Sequence, residues 1–311
     1  MFDFPYSKIF KQAISLVRNN RFVRTFGLFL LWGNVIDLWA LLYKEAPTDS
    51  TQTQMIAVNN WLSSNQNFSI ILGLIAAAIV TWLFVMYFRA RAGIIFAVQA
   101  ILKKQTTDAS SSLRKGRDYS GRVAKIWLIS SGVLLFCFLI LSIPVLYLIY
   151  LGYAYRAIIL AALAVLILVP IFLVSGMVNV LGVLFSVVYN MPYSEGLRAA
   201  LDLIGKWWGI LFMVSLAMLC ITIAGFFLSV FATVLVITPF VFLAQIPYDI
   251  GGYGVEILFT TLGTIFGLGV FFWVMSLVSA FQHVSWTLIF LELVKPEKIE
   301  EEQPAVVPEA I

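Results

Sequence analysis

FSIILGLIAAAIVTWLFVMYFRAR, residues 68–91, decides the fold, because it is an uninterrupted apolar run closed by two arginines. A helix needs about 20 mostly apolar residues to cross the roughly 30 Å hydrocarbon core of a bilayer. The run from 68 to 88 meets this requirement and contains no charged residue. The stretch therefore predicts a membrane-spanning α-helix that ends at Arg89 and Arg91.

Five further apolar runs of similar character occur along the chain. They occupy residues 22–43, 126–150, 157–188, 207–246 and 255–294. The 311-residue chain is 61% hydrophobic and 12% charged, whereas soluble domains carry about 25% charged residues. This composition excludes a water-soluble globular protein. We predict an all-α, polytopic membrane protein with six transmembrane helices.

The predicted domain organisation is a single six-helix transmembrane domain over residues 1–294. The remaining residues, 295–311, are acidic and contain prolines. Such a segment has too few apolar residues to offset the entropy lost on folding. We therefore predict that it is a disordered tail.

The distribution of Lys and Arg predicts the orientation of the helices. Of the 20 Lys and Arg residues, all but Lys44 and Arg156 fall on one side of the six predicted spans. Cytoplasmic loops retain basic residues, so we predict a multi-pass protein of the cytoplasmic (inner) membrane with both termini in the cytoplasm. The net charge of +4 then reflects topology, and no nucleic-acid partner is expected.

Two segments on the predicted cytoplasmic side have the periodicity of amphipathic helices. Residues 5–18 place apolar side chains on one face and basic or polar ones on the other, which predicts a helix lying on the membrane. A second amphipathic helix is predicted to start with Ser194 as its cap. Its apolar side includes Ala200, Leu201 and Ile204.

The chain also contains a weak internal repeat. Residues 93–98, GIIFAV, resemble residues 182–187, GVLFSV, and residues 112–114, SLR, resemble residues 196–198, GLR. We predict three parallel helical-hairpin repeats with cytoplasmic amphipathic helices. Transporters often use inverted repeats, although some families use parallel ones. Parallel repeats therefore weaken a transporter interpretation without excluding it. The predicted hairpin units are about 1–92, 93–182 and 183–294.

With these motifs the chain resembles the membrane domain that is fused to some bacterial glycerophosphodiester phosphodiesterases, and the uncharacterised six-helix relatives of that domain that stand alone. The resemblance rests on the hairpins, the Gly-aliphatic-aliphatic-Phe-small-Val turn and the Leu-Arg amphipathic helix. It covers roughly residues 1–294 and implies a six-helix membrane fold. The catalytic barrel of the fused enzymes, with its His- and Glu-rich metal site, has no counterpart in this sequence. Phosphodiesterase activity is therefore not implied for any residue.

The inventory of reactive residues predicts a protein that is not an enzyme. The single histidine, His283, does not allow a metal site with two His ligands. No phosphate-binding loop or dinucleotide fingerprint occurs. We therefore predict no catalytic, metal-binding or cofactor-binding residue. His283 is interpreted as an interfacial side chain hydrogen-bonded to a neighbour, with a proton-relay role as the alternative.

Three polar residues within predicted spans form a possible intramembrane site: Asn34, Asp37 and Asn179. A carboxylate inside a spanning helix costs several kcal/mol unless it is paired, hydrated or neutral. One interpretation is a polar site for an ion, a proton or a headgroup. The other is that Asp37 lies within about two turns of the outer interface, where water reaches it.

The segment 89–125 carries a cluster of positive charge. Each basic residue near the membrane surface attracts anionic lipid by about 1 kcal/mol. We predict that this cluster contacts anionic headgroups or a protein partner on the cytoplasmic side, although the charges also suffice as a simple topology signal. The predicted contact residues are Arg89, Arg91, Lys103, Lys104, Arg114, Lys115 and Arg117.

Two functional hypotheses follow from these observations. The first is a non-enzymatic scaffold, lipid-interacting or partner-binding membrane module, with membrane lipid as its expected partner. The alternative is a transporter or permease component with a polar path near Asp37.

Overall fold

The computed structural model describes residues 4–42, 66–245 and 253–294, and side chains within residues 4–31, 67–245 and 255–294. All regular secondary structure in these ranges is helical. The predicted acidic tail lies outside the described residues. The helices are α1 (Tyr6–Asn19), α2 (Arg21–Leu42), α3 (Gln66–Leu102), α4 (Ala109–Tyr150), α5 (Ala154–Val188), α6 (Tyr193–Lys206), α7 (Trp208–Gln245) and α8 (Tyr253–Leu293).

Five of these helices, α3, α4, α5, α7 and α8, are long and apolar enough to cross a membrane. This confirms the predicted class, an all-helical protein with several membrane-spanning segments. The 42 residues of α4 make a helix of about 63 Å at 1.5 Å per residue. Hydrocarbon covers only about 30 Å of that length. A large part of the helix therefore lies beyond the hydrocarbon core.

The boundaries between the second and third predicted spans differ from the sequence prediction. α3 continues through Arg89 and Arg91 to Leu102, and α4 already begins at Ala109. Residues 103–108 alone connect the two helices. Ile94, Ile95 and Val98 are buried, so the helical period continues past the arginines. The arginines end the apolar run but not the helix, and the third predicted span, which begins at residue 126, lies within α4.

The predicted N-terminal amphipathic helix is confirmed as α1. Its buried residues, Ile9, Ala13 and Val17, follow helical spacing. α1 packs against α2 and α8, and the rings of Phe10 and Phe281 lie 6.1 Å apart. Protein, rather than lipid, therefore covers this apolar face.

The second amphipathic helix, α6, begins one residue earlier than predicted. It follows Pro192 and has no side-chain cap, so the predicted role of Ser194 was wrong. Proline fixes its own φ near the helical value and thereby favours a helix start. Ala200 and Ile204 are buried as predicted, whereas Leu201 is 54% exposed. α6 packs mainly on α5.

The helices form an antiparallel arrangement in which most neighbours pack closely. α3, α4 and α5 pack in chain order, α7 pairs with α8, and α2 lies against both α3 and α8. Contact between α5 and α7 is sparse, which leaves a seam between them. We call the end that holds α1, α6 and residues 103–108 the basic end.

Side chains of the protein bury one another mainly toward the basic end. The fully buried residues include Ile94, Leu184 and Ile289 in the terminal parts of α3, α5 and α8. Toward the opposite end, large apolar side chains such as Leu74 and Phe227 are 66% exposed. Nothing in the described protein covers this apolar surface, so hydrocarbon must do so.

Two glycines that the sequence repeat aligns make similar close contacts. A Cβ on Gly93 would lie 3.1 Å from the carbonyl oxygen of Ser112, and one on Gly182 would lie 3.8 Å from that of Gly196. Residues 112 and 196 are also aligned by the repeat. In each case, therefore, an amphipathic segment lies with its backbone next to the glycine that the repeat aligns. The segment is the beginning of α4 for Gly93 and the helix α6 for Gly182.

The close contact of α3 and α4 gives a first prediction. A Cβ on Gly116 would overlap the Arg89 carbonyl and lie 2.9 Å from the Gly93 nitrogen. We expect Gly116→Ala to reduce the free energy of unfolding by about 1–3 kcal/mol through overpacking. Thermal unfolding in mild detergent measures this. Gly121→Ala, in the same helix with open space around its Cβ, should be neutral or slightly stabilising. Equal stability of both variants would contradict the close packing.

The start of α4 gives a second prediction. Hydrogen bonds from Ser111 and Ser110 to the cap residue hold the pKa of Asp108 below its usual value. The pKa is lowered in the folded state, so the ionised cap contributes its full stabilisation above about pH 4, near the pKa of the unfolded chain. This stabilisation is lost as the pH falls through the lower pKa of the folded state. We expect Asp108→Asn to lower the melting temperature at pH 7, and the difference from wild type to shrink as the pH falls through the lowered pKa of Asp108. Asp118→Asn, an exposed change in the same helix, should show no such convergence.

Candidate functional site

A cavity of about 450 Å³ lies toward the basic end, between α3, α4, α5, α7 and α8. Ligand pockets in proteins measure about 300–1,000 Å³. Its lining combines apolar side chains with a large number of polar ones. The polar lining residues are Tyr87, Arg91, Trp127, Ser130, Ser131, Ser175, Asn179, Ser215, Thr222, Gln282, His283 and Trp286.

Helical geometry brings these polar groups to one place from distant parts of the chain. Ser175 and Asn179 are four residues apart and share one face of α5. Ser215 and Thr222 are seven residues apart, so two turns place them on one face of α7. Because α7 and α8 are antiparallel, Gln282 near the end of α8 meets the beginning of α7. The cavity is therefore a product of tertiary packing.

Arg91 is the charged residue of the cavity lining. Only 4% of its surface is exposed, and its Nη1 atom is buried without a hydrogen-bond partner. The Oδ1 atom of Asn179 is also buried without a partner. Buried polar atoms are almost always hydrogen-bonded in native proteins. Among the described residues, the lining therefore holds two buried polar atoms without a protein partner, one a donor and one an acceptor.

His283 lies beside Arg91 in the same lining. Its Nδ1–H donates to the carbonyl oxygen of Ser279 at 3.0 Å, which is the hydrogen bond to a neighbour that the sequence interpretation favoured. This leaves the other ring nitrogen, Nε2, available. The hydroxyl of Thr287 donates to the His283 carbonyl at 2.8 Å. The positive charge of Arg91 acts directly on the imidazole.

Gln282 joins α8 to α7 at the edge of the cavity. Its Nε2 donates to the carbonyl oxygen of Met218 at 3.0 Å and to the hydroxyl of Thr222. The hydroxyl of Ser175 similarly joins α5 to α4 by donating to the Ser130 carbonyl at 2.9 Å. These bonds fix the positions of four of the five helices around the cavity.

The remaining lining is apolar and reaches the surface of the protein. It includes Leu134, Phe172, Leu219, Ile223 and Phe226. Phe172 is 43% exposed and Ile223 is 49% exposed, so the cavity wall continues onto the surface that hydrocarbon covers. The sparse contact between α5 and α7 leaves this side open.

An apolar groove follows the same seam between α5 and α7. It has a volume of about 390 Å³ and is lined by residues 162–173 of α5 together with Phe212. Leu173 lines the groove, and Gly176, three residues further along α5, lines the cavity. The same helix therefore borders an apolar groove and a polar cavity.

The residues that the sequence singled out lie in different places in the structure: some line the cavity and others are exposed at the basic end. Asn179 and Arg91 line the cavity together, although Arg91 was predicted to lie on a contact surface. Arg89 is partly buried, with its Nε atom unpartnered. The side chains of Asn34 and Asp37 lie outside the described residues. The other five predicted contact residues, Lys103, Lys104, Arg114, Lys115 and Arg117, are exposed at the basic end.

Sequence reasoning missed the serine, threonine and glutamine residues of the cavity. Ser130 donates to carbonyls of its own helix, as Ser and Thr commonly do in apolar helices. Their sequence signal is therefore weak. Gln282 directly precedes His283, which the sequence did single out. That neighbouring position was the available signal.

The chemistry of the cavity follows from its lining. None of the residues that line it is acidic, so its floor is electropositive. In the described part of the chain, no three His, Cys, Asp or Glu side chains are grouped closely enough to hold a metal ion. The arrangement is suited to holding a negatively charged or strongly hydrogen-bond-accepting group next to an apolar one.

Comparisons of the chain with protein-family models, with curated proteins and with solved structures returned no match. The resemblance to the membrane domain of the phosphodiesterases stays a prediction. The function has to be argued from the geometry.

The link between α7 and α8 gives a third prediction. Gln282→Ala removes two hydrogen bonds between these helices. We expect it to lower the free energy of unfolding by about 1 kcal/mol, because hydrogen bonds between membrane helices have modest net strength. Thermal unfolding in detergent measures the change. Gln105→Ala, at an exposed position of the 103–108 connection, is the control, and an equal effect there would contradict the role of Gln282.

Proposed function

We propose that this protein is a non-enzymatic lipid-interacting module of the cytoplasmic membrane, with six membrane-spanning helices and both termini in the cytoplasm. Its partner is membrane lipid, which enters the cavity between the helices from the side. The exposed basic residues at the cytoplasmic end assist by attracting anionic headgroups.

A sixth span is supported by α2. Its 22 residues make a helix of about 33 Å, which matches the hydrocarbon thickness. Its sequence is apolar apart from the charged residues Arg21, Arg24 and Asp37 and the polar residues Thr25 and Asn34. α2 packs against α3 and α8, both of which are long enough to span.

The proposed three-hairpin architecture is supported by the aligned glycine contacts. Gly93 and Gly182 each receive the backbone of a following amphipathic segment. In the first unit, α1 packs on the end of α8 instead. The three amphipathic segments then lie at one end of the bundle, beside three long inward-running helices.

The cytoplasmic location of the basic end is supported by its charge. Lys103, Arg114 and Arg117 are exposed there, whereas the turn between α4 and α5 is followed by Arg156 alone before the next apolar run. Basic residues are retained on the cytoplasmic side. Anionic lipids of that leaflet would also attract them.

The observation that carries the lipid-binding function is the cavity with a polar floor and apolar walls that reach the lipid-facing surface. Phospholipids have the same two-part character, and they reach such a cavity without leaving the membrane. An entirely polar solute would gain nothing from Leu134, Phe172 or Ile223. The lining therefore favours an amphiphile.

A transporter component is the second candidate, because polar groups from five helices converge in the cavity. A transport path would have to continue toward the opposite end. In that direction, α7 and α8 contact each other through Phe226 with Phe271 and Phe240 with Phe266. These aromatic contacts favour a lipid-binding chamber over a path that crosses the membrane.

A cavity-filling substitution tests the proposed function. Gly176 lines the cavity, and a Cβ there meets open space. We expect the wild-type protein, purified in mild detergent, to retain phospholipid in native mass spectra, and Gly176→Leu to retain several-fold less because the side chain occupies the space of the ligand. Gly132→Leu, also in open space but on α4 outside the cavity lining, should retain lipid as wild type does.

Two results would refute the lipid-binding function. One is a wild-type protein that retains no lipid under conditions that preserve its fold. The other is equal retention by Gly176→Leu and wild type. Solute flux through reconstituted vesicles that Gly176→Leu abolishes would favour the transporter instead.

A further inference from the structure

We propose that the cavity binds the phosphate group of an anionic phospholipid and that Arg91 is its counter-ion. This inference rests on the proposed lipid-binding function and adds the chemical class of the ligand. It starts from a buried charge that has no acidic partner among the described residues lining the cavity.

The unpaired charge is the guanidinium of Arg91. Arginine stays protonated in proteins, so burial does not neutralise it. The side chain is 96% buried, since only 4% of its surface is exposed, and its Nη1 atom has no hydrogen-bond partner. A buried charge is strongly destabilising unless a counter-charge accompanies it. No described residue that lines the cavity is acidic, so a negatively charged ligand would supply the counter-charge that this lining lacks.

The groups around Arg91 suit a ligand with acceptor oxygens and a hydroxyl group. Because the ring proton of His283 is on Nδ1 and is donated to Ser279, its Nε2 atom carries a lone pair that can accept a hydrogen bond from a headgroup hydroxyl. The amide of Asn179, which also has an unpartnered atom, presents an NH₂ donor after a half-turn of its side chain. Arginine and phosphate pair in a bidentate geometry. A phosphate group therefore matches both the charge and the donors.

The depth of Arg91 indicates that the phosphate belongs to a lipid. Arg91 follows directly on the apolar run 68–88, whose length matches the hydrocarbon core. A residue just beyond that run lies at the level of the phospholipid headgroups. The apolar cavity wall and the groove along the α5–α7 seam provide a place for acyl chains that free phosphate would leave empty.

The lipid preference of matched charge variants tests this inference. Native mass spectrometry of purified protein would compare phosphatidylglycerol, phosphatidylcholine and diacylglycerol, with inorganic phosphate as a separate competitor. We expect wild type to prefer phosphatidylglycerol over diacylglycerol by about tenfold or more, the typical contribution of a charge-assisted hydrogen bond. Phosphatidylcholine should lie between them, because its ammonium group has no acidic partner in the lining.

Arg91→Gln should reduce that preference to near unity, while the control Arg156→Gln, which removes the same charge at an exposed position of α5 far from the basic end, should keep it. If Arg91→Gln fails to fold, Arg91→Lys takes its place in the test, because lysine keeps the positive charge and lacks the planar guanidinium that binds phosphate through two donors. It should show a reduced but measurable preference. Millimolar inorganic phosphate should not displace the lipid, since the acyl chains contribute much of the binding.

Three outcomes would overturn the inference. They are an unchanged preference in Arg91→Gln and Arg91→Lys, an equal loss in Arg156→Gln, and displacement of the lipid by inorganic phosphate. If wild type binds diacylglycerol as well as phosphatidylglycerol and Gly176→Leu still blocks both, the lipid-binding function stands and the phosphate site fails. If no lipid binds at all, both fail.

Discussion

Apolar side chains that the described protein leaves uncovered determine how this structure is organised. Along α3, α4, α5, α7 and α8, large hydrophobic residues toward one end are exposed, and only hydrocarbon stabilises that surface. Packing between helices is concentrated at the other end. There α1, α6 and the beginning of α4 cover the extended ends of α3, α5 and α8. The protein thus combines lipid-covered hairpins with a compact basic end.

This division explains where polar side chains can form hydrogen bonds between helices. In the lipid-covered half, an unsatisfied polar group has no water to bond with. Near the junction of the two halves, helices are close enough for hydrogen bonds such as Gln282 to Met218 and Ser175 to Ser130. The cavity lies at this junction. Its polar floor belongs to the compact end, and its apolar wall belongs to the lipid-covered half.

Much of the fold was predictable from the sequence because length and hydropathy determine membrane-spanning helices almost by themselves. The end of α3 at Leu102 was not located, because basic residues after an apolar run usually mark the end of a span. The period of Ile94, Ile95 and Val98 contained the information. The apolar face of α1 was predicted correctly, but the sequence does not show that α8, rather than lipid, covers this face.

The site was only partly predictable. Asn179 was identified because an amide is costly inside a span. Arg91 was predicted as a surface contact, and its burial depends on contacts with α5 and α8 that are distant in sequence. Serine and threonine residues in apolar helices are too common to signal a site. The roles of Asn34 and Asp37 stay predictions, since their side chains lie outside the described residues.

The central claim is that hydrocarbon surrounds the helices and that the basic end faces the cytoplasm. Thiol labelling in intact cells tests it directly, in a background where Cys137 and Cys220 are replaced by serine. A cysteine at Tyr153, in the exposed turn between α4 and α5, should react with a membrane-impermeant reagent. A cysteine at Gln105 should react only after the membrane is opened. Labelling of Gln105→Cys in intact cells, with Tyr153→Cys protected, would contradict the account.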